Sequence, residues 1–282
     1  MTHVDLHLHS TASDGTVAPA EVVRRADEAG LEGISLTDHD TVAGVEEARA
    51  EARRRGIAFL TGAELSANEP GRGVHLLAYG FDPADPGMVE FFAEFRADRN
   101  RRAREIVARL DDLGVDLGWE AVAREAVGGL PTRAHVARAL VREGHAPDEA
   151  SVFRRWLGRG GPAFVEKRPT RPPEVFEMVH AAGGVVILAH PGREFGASDV
   201  RRWVEQGLDG VEIRHPRNGP GVRMRLGHLA DELELLRGGG SDWHGDDERH
   251  AGIGSQQVPA AWMVAIEDRC EASEAASART DR

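Results

Sequence analysis

The chain has 282 residues, a single cysteine (Cys270), and 47 acidic against 35 basic side chains, a formal charge of −12. That length allows one large α/β domain or two small ones, and one cysteine excludes both a disulfide framework and thiolate metal sites. The acidic balance argues against a protein that grips long nucleic acid non-specifically, because that task needs a broad basic face.

Short β-like runs alternate with helical patterns over the first 80 residues. Residues 3–9 alternate as a strand does, and 20–29 read as a helix that Pro19 starts and Gly30 stops. Residues 33–37 (GISLT) form a buried-strand run, and 42–55 a helix stopped by Gly56. Further strands are expected at 58–61 and 74–79. This β-α-β-α rhythm implies a parallel sheet or barrel. From Pro86 to about Arg159 only helical patterns occur, at 88–113, 119–127, 132–143 and 147–157. Helices are then expected at 172–182, 198–205 and 222–234, alternating with strands at 185–189, 210–213 and 235–240.

The simplest arrangement is an α/β barrel built from residues 1–85 and 160–262, interrupted by a helical insertion at 86–159. Residues 263–282 are polar and small and read as a frayed, disordered tail. No run approaches the roughly 20 apolar residues of a membrane span, and Met1 is not followed by an apolar leader. The expectation is a soluble cytoplasmic protein.

Chemistry-bearing residues collect where the expected strands meet loops. The first strand ends in Asp5-Leu6-His7-Leu8-His9, and Asp14 lies in the next loop. Strand alternation puts His7 and His9 on one face, able to chelate one cluster. The second ends in Thr37-Asp38-His39-Asp40, the third in Gly62-Ala63-Glu64, and the fourth opens on His75. Later come Ala189-His190-Pro191 and Ser241-Asp242-Trp243-His244, another i, i+2 pair. One such histidine alone would read as structural. Six histidines and three carboxylates at the catalytic face of a barrel read as a metal centre, since burying so many polar groups without an ion costs several kcal/mol.

In order, DLHLHSTASDGT, SLTDHDT, LTGAELS, HLLAYG, LAHP and GSDWHG resemble the motifs of the polymerase and histidinol phosphatase (PHP) superfamily of metal-dependent phosphoesterases. The resemblance spans about residues 2–259. It implies a distorted (β/α)7 TIM-like barrel with two or three divalent metal ions at the C-terminal ends of its strands. It also implies the ligand set His7, His9, Asp14, His39, Glu64, His75, His190, Asp242 and His244. Imidazole mixed with carboxylate suits manganese first, with zinc or iron as alternatives. Such a centre lowers the pKa of a bound water and neutralises phosphoryl oxygens.

Around the expected centre, Thr132 and Arg133 open a helix and could bind an anion, or form an ordinary helix start. Their segment also resembles a stretch that PHP nucleotide phosphatases place over the metal site. His135 is expected to pack or cap. Glu212-Ile213-Arg214-His215-Pro216-Arg217 resembles the family's strand-end segment with a phosphate-contacting histidine, so His215 could bind phosphate and protonate the leaving oxygen. Lys167, the only lysine, and Arg168 reach a second phosphate or form a solvated loop. Arg193 could touch substrate. The six arginines of 96–109 read as a solvated face paired with Asp98 and Glu105.

The resemblance implies hydrolysis of small phosphorylated nucleotides, foremost the 3′ phosphate of nucleoside 3′,5′-bisphosphates. Trimming of short RNA from its 5′ end and histidinol phosphate hydrolysis are alternatives. An amidohydrolase needing a carboxylated lysine fits poorly, since Lys167 sits in a charged loop-like stretch, and a non-catalytic metal scaffold is the remote reading. Expected partners are a small phosphorylated nucleotide or short oligonucleotide, with no long nucleic acid, membrane or obligate protein partner. Residues 96–159 hold 13 arginines and 10 acids, so the insertion is +3 while the remainder carries −15.

Overall fold

Buried apolar residues, alternating at 4–8 and continuous at 76–79 and 185–188, build the inner sheet. The computed structural model describes residues 2–126, 131–192, 194–245 and 252–280, with side chains to 273. Val127, the expected end of a helix, and Arg193 lie outside the described residues. The strands are β1 (His3–Leu8), β2 (Gly33–Leu36), β3 (Ala58–Glu69), β4 (Arg72–Tyr79), β5 (Val185–Leu188), β6 (Gly210–Arg214), β7 (Leu236–Gly239) and β8 (Val258–Pro259). They form one sheet in the order β7-β6-β5-β4-β3-β2-β1-β8.

Beyond β7 the chain returns to β1. Asp242 N donates to His7 O at 2.9 Å and His9 N donates to Trp243 O at 3.0 Å, which closes the sheet into a barrel. Gly240 permits this closure, because a Cβ there would collide with the His7 backbone.

Two expectations about the sheet and the tail are corrected. β4 pairs antiparallel with both β3 and β5, so the sheet is not wholly parallel. The reason is local: Pro70-Gly71 turns the chain directly back, leaving no room for a crossover helix, and Gly71 takes φ 86°. β3 is also far longer than expected. Residues 260–280 form a helix, α10 (Ala260–Thr280), rather than a frayed tail. Its Met263, Ile266 and Cys270 are buried against β1, β4 and β5.

The helices α1 (Pro19–Glu28) and α2 (Val45–Arg55) cover β1 and β2 through Val22, Val23, Ala26, Ala48 and Ala52. α7 (Pro172–Ala181), α8 (Ala197–Val204) and α9 (Pro220–Glu232) cover the later strands.

The insertion holds α3 (Pro86–Asp112), α4 (Trp119–Glu125), α5 (Arg133–Arg142) and α6 (Glu149–Val152), the last running on into a π-helical turn at Phe153–Leu157. The phenylalanines of the first half of α3, Phe91, Phe92 and Phe95, pack with the barrel core. The second half, with Ile106 and Leu110, packs with Val122, Val136, Leu140 and Trp156 in a small core of its own. α3 is therefore shared between the two units. No helix of the described residues is long and apolar enough to cross a membrane.

Candidate metal centre

The nine expected ligands converge on one end of the barrel. Glu64, 1 % exposed in mid-β3, is the hub: its Oε2 lies 3.0 Å from His7 Nε2, 3.1 Å from His9 Nε2 and 3.3 Å from His39 Nδ1. Its Oε1 lies 2.7 Å from His75 Nδ1 and 2.9 Å from His190 Nε2. Asp242 Oδ1 approaches His7 Nε2 (3.4 Å) and His9 Nε2 (3.3 Å), and Asp14 Oδ1 approaches His244 Nε2 (3.4 Å).

Among the described residues, donor atoms close enough to share an ion form four groups: His7, His9, Glu64 and Asp242; His9, Asp14, His39 and His244; His39, Glu64 and His75; and His7, Glu212 and His215. His9 Nε2, His39 Nδ1 and His75 Nδ1 are buried and make no aligned hydrogen bond among the described residues. Buried nitrogens left so, facing a shared carboxylate, are the arrangement a cation satisfies, and N/O donors without sulfur fit hard or borderline divalent ions.

Charge in the cluster is strongly redistributed. Burial alone would lower His7, but the carboxylates of Glu212, Glu64 and Asp242 hold it well above its usual range. His9 behaves alike, burial being overcome by Asp242 and Glu64, and is pushed up to about 10. Burial dominates at His39, lowering it to about 3. Burial would raise the three acids Asp14, Glu64 and Asp242, yet the surrounding imidazoles keep all three well below the carboxylate range.

The backbone is bent to make this site. Asp40, His190 and Asp242 take φ of 51°, 27° and 54°, conformations that non-glycine residues seldom adopt. Each follows a strand, β2, β5 or β7.

Four further acids, none assigned a role from the sequence, are buried beside the ligands. Glu212, fully buried on β6, accepts from His7 Nδ1 (2.9 Å) and from His190 N (2.5 Å). Asp38 accepts from Ser10 N (2.8 Å), Ser10 Oγ (2.6 Å) and Ser13 Oγ (2.5 Å), and so folds the loop that carries Asp14. Asp5 accepts from Ser241 N (2.9 Å) and Gly254 N (2.8 Å). Asp40 binds Arg99 through Arg99 Nε at 3.1 Å. The available signal was position, since Asp38 and Asp40 flank a ligand and Asp5 keeps the alternation of His7 and His9.

Above the cluster lies a cavity of about 480 Å³ whose wall is cationic: Arg99, Arg102, Arg133, Arg138, Lys167 and Arg217. Two expectations are corrected here. Arg99 and Arg102 are buried and aimed inward, because α3 lays that face on the barrel, whereas Arg101 keeps the expected pairing with Asp98 (2.7 Å) and Glu105 (2.9 Å). His215 does not face the cavity. It is 1 % exposed, its Nδ1 accepts from Arg217 N (3.0 Å), and its Nε2 lies 3.2 Å from Asp242 Oδ2. With Nδ1 accepting, its proton sits on Nε2 and is directed at Asp242, which it orients.

Lys167 is half-buried in the cavity wall and donates to Ser66 Oγ at 3.1 Å, while Arg168 turns outward to Glu94. Enclosure lowers Lys167 to about 8, against the opposing pull of Asp40. Thr132 caps α5 by accepting from His135 N (3.3 Å), and His135 Nδ1 accepts in return from Thr132 N (3.0 Å). Arg133, beside that cap, lies near the rings of Phe153 and Phe164 and donates to Leu157 O at 3.2 Å.

An acid-and-imidazole cluster at the mouth of a barrel, roofed by cations, defines a metal-dependent hydrolase of anionic substrates. The PHP domain family matches residues 5–125. A 5′-3′ exoribonuclease of Haemophilus influenzae is 38 % identical over 248 residues, covering 85 % of this chain and 89 % of that one. A 3′,5′-nucleoside bisphosphate phosphatase of Chromobacterium violaceum is 33 % identical over 260 residues, 90 % and 91 % of the two chains. A solved structure assigned as a metal-dependent phosphoesterase from Bifidobacterium adolescentis superposes with a TM-score of 0.88 at 32 % identity, covering 95 % and 96 %. The chain belongs to the PHP family and is a metal-dependent phosphoesterase.

Proposed function

We propose that this enzyme removes the 3′ phosphate from nucleoside 3′,5′-bisphosphates. One observation carries the reading: a single cavity is lined both by members of the candidate metal cluster and by Arg99, Arg102, Arg133 and Lys167. A phosphate monoester needs only the first group. A substrate with two phosphates uses both, and the wall of cations selects for it.

His7, His9, Asp14, His39, Glu64, His75, His190, Asp242 and His244 hold two or three divalent ions, with manganese the first expectation and zinc or iron the alternatives. Bound there, such ions supply an activated water and neutralise the phosphoryl oxygens. The protein's own part is positional. Glu212 and His215 hold His7 and Asp242 in place, the cation wall fixes the second phosphate, and the insertion acts as a lid that restricts water around the scissile ester.

A second reading, 5′-3′ trimming of short RNA, is favoured by the similarity to the H. influenzae exoribonuclease. The same wall would hold the 5′ phosphate while the first internucleotide linkage meets the metal cluster.

The test is phosphate release from adenosine 3′,5′-bisphosphate with manganese, beside a 5′-phosphorylated RNA oligomer. Turnover of RNA with none of the bisphosphate would sink the primary reading. Asp14→Ala or His190→Ala should abolish turnover of either substrate, and unchanged activity would refute the ligand assignment.

A further inference from the structure

Asp40 follows His39, and its backbone N–H donates to Glu64 O at 3.0 Å, so it sits between two candidate ligands. Its left-handed φ of 51° is one that aspartate tolerates better than most residues. The carboxylate is 1 % exposed and does not line the cavity. It faces the insertion instead.

There it accepts from Arg99 Nε (3.1 Å) and Arg99 Nη2, and from Ser66 N (2.6 Å) and Ser66 Oγ (2.9 Å). Ser66 Oγ in turn accepts from Lys167 Nζ at 3.1 Å. Asp40 is thus joined directly to one cavity cation and through one hydroxyl to another. Arg99, Ser66 and Lys167 all line the cavity.

Cations enclosed in one wall repel one another, and freely rotating side chains would spread apart. A buried carboxylate behind them neutralises one charge and fixes two of the side chains at a set separation. A rigid pair of donors binds phosphate more tightly than a mobile pair, because less rotamer freedom is lost on binding.

We infer that Asp40 is a positioning residue for the second phosphate: it holds Arg99 and, through Ser66, Lys167 as a preformed clamp without itself touching substrate. This inference rests on the bisphosphate reading above. It differs from a role in holding His39, which would affect every substrate alike.

The experiment compares Asp40→Asn, Arg99→Gln and the double variant on adenosine 3′,5′-bisphosphate and on adenosine 3′-phosphate, which lacks the second phosphate. With Asp40→Asn, KM for the bisphosphate should rise about ten- to thirty-fold with kcat within about three-fold, and kcat/KM for the monophosphate should stay within about three-fold. The double variant should lose less than the two single losses combined, because the Arg99 arm is shared and only the Lys167 arm is lost in addition. Equal losses on both substrates, or additive losses in the double variant, would overturn the inference.

A calorimetric arm, independent of turnover, measures adenosine 5′-phosphate binding to the metal-loaded protein. Asp40→Asn should weaken it by a factor similar to the KM change, and unaltered affinity counts against the clamp. If Asp40→Asn fails to fold, Ser66→Ala cuts only the Lys167 arm and should give the same split at smaller size. A wild-type chain that leaves the bisphosphate intact would defeat the functional reading, while the calorimetry would still decide the role of Asp40.

Discussion

His7 Nδ1 lies 2.9 Å from Glu212 Oε1, so the Nε2 atom is the one turned to Glu64 and Asp242. Burial would raise Glu212, but His7 and His215 keep it ionised, and an ionised carboxylate can only accept. The pairing therefore fixes both the orientation and the tautomer of His7. Glu212→Ala should lower metal affinity about ten- to a hundred-fold, the usual cost of losing a carboxylate behind a ligating histidine. Elemental analysis of the purified variant, and metal titration by calorimetry, would measure it. Wild-type affinity would mean that His7 is held by β1 alone.

Metal binding should release protons. In the metal-free cluster the surrounding carboxylates hold His7 well above its usual range and His9 at about 10, so both rings are protonated at neutral pH. A ligating imidazole must give up that proton. Both pKa values are raised, so affinity should increase as pH rises from 6 towards 9. Titrating manganese in two buffers of different ionisation enthalpy should give different apparent heats, and equal heats would refute the protonated state.

Lys167 gives the cation wall its own pH dependence. Enclosure lowers it to about 8, so it is charged at neutral pH and loses its charge as pH climbs through that value. KM for adenosine 3′,5′-bisphosphate should therefore rise above about pH 8. Lys167→Arg should move that rise to higher pH, because a guanidinium stays charged. Lys167→Met should raise KM about ten-fold or more at pH 7, the size of one charge-assisted hydrogen bond. A flat KM profile between pH 7 and 9.5 in the wild type would remove Lys167 from the site.

The residues that gather at the mouth of the barrel were readable, His7 with His9 and Asp242 with His244 as i, i+2 pairs, and the rest from the motifs that resemble the PHP family. What stands behind them was not. Glu212 sits in a strand like any half-buried acid, and only the barrel's closure brings it to His7 across 205 residues of chain. Arg99 and Arg102 share a helix with Arg101 and Arg96, and nothing local says which face meets the barrel. His215 misled for a related reason: a histidine at a strand end reads as catalytic until the Arg217 N–H is seen on its Nδ1. The β3–β4 hairpin was hidden because the periodicity of Ala58–Glu69 and Arg72–Tyr79 is the same in parallel and antiparallel pairs.

The last helix tests the remaining misreading. Residues 263–282 are mostly small and polar, so their apolar stripe is thin: Met263, Ile266 and Cys270, spaced three and four apart. Gly80 makes room for it, since a Cβ there would collide with Cys270 Sγ. Ile266 is fully buried while Val264 is 52 % exposed. Ile266→Ala should therefore cost about 2–4 kcal/mol by lost burial and residual cavity, whereas Val264→Ala should stay within about 0.5 kcal/mol. In a chain of this size the first should lower Tm by about 5–10 °C. Because β1 carries His7 and packs on the same cluster as Ile266, the looser barrel should also hold its metal less tightly. If Ile266→Ala and Val264→Ala melted together, the tail would not be docked on the barrel.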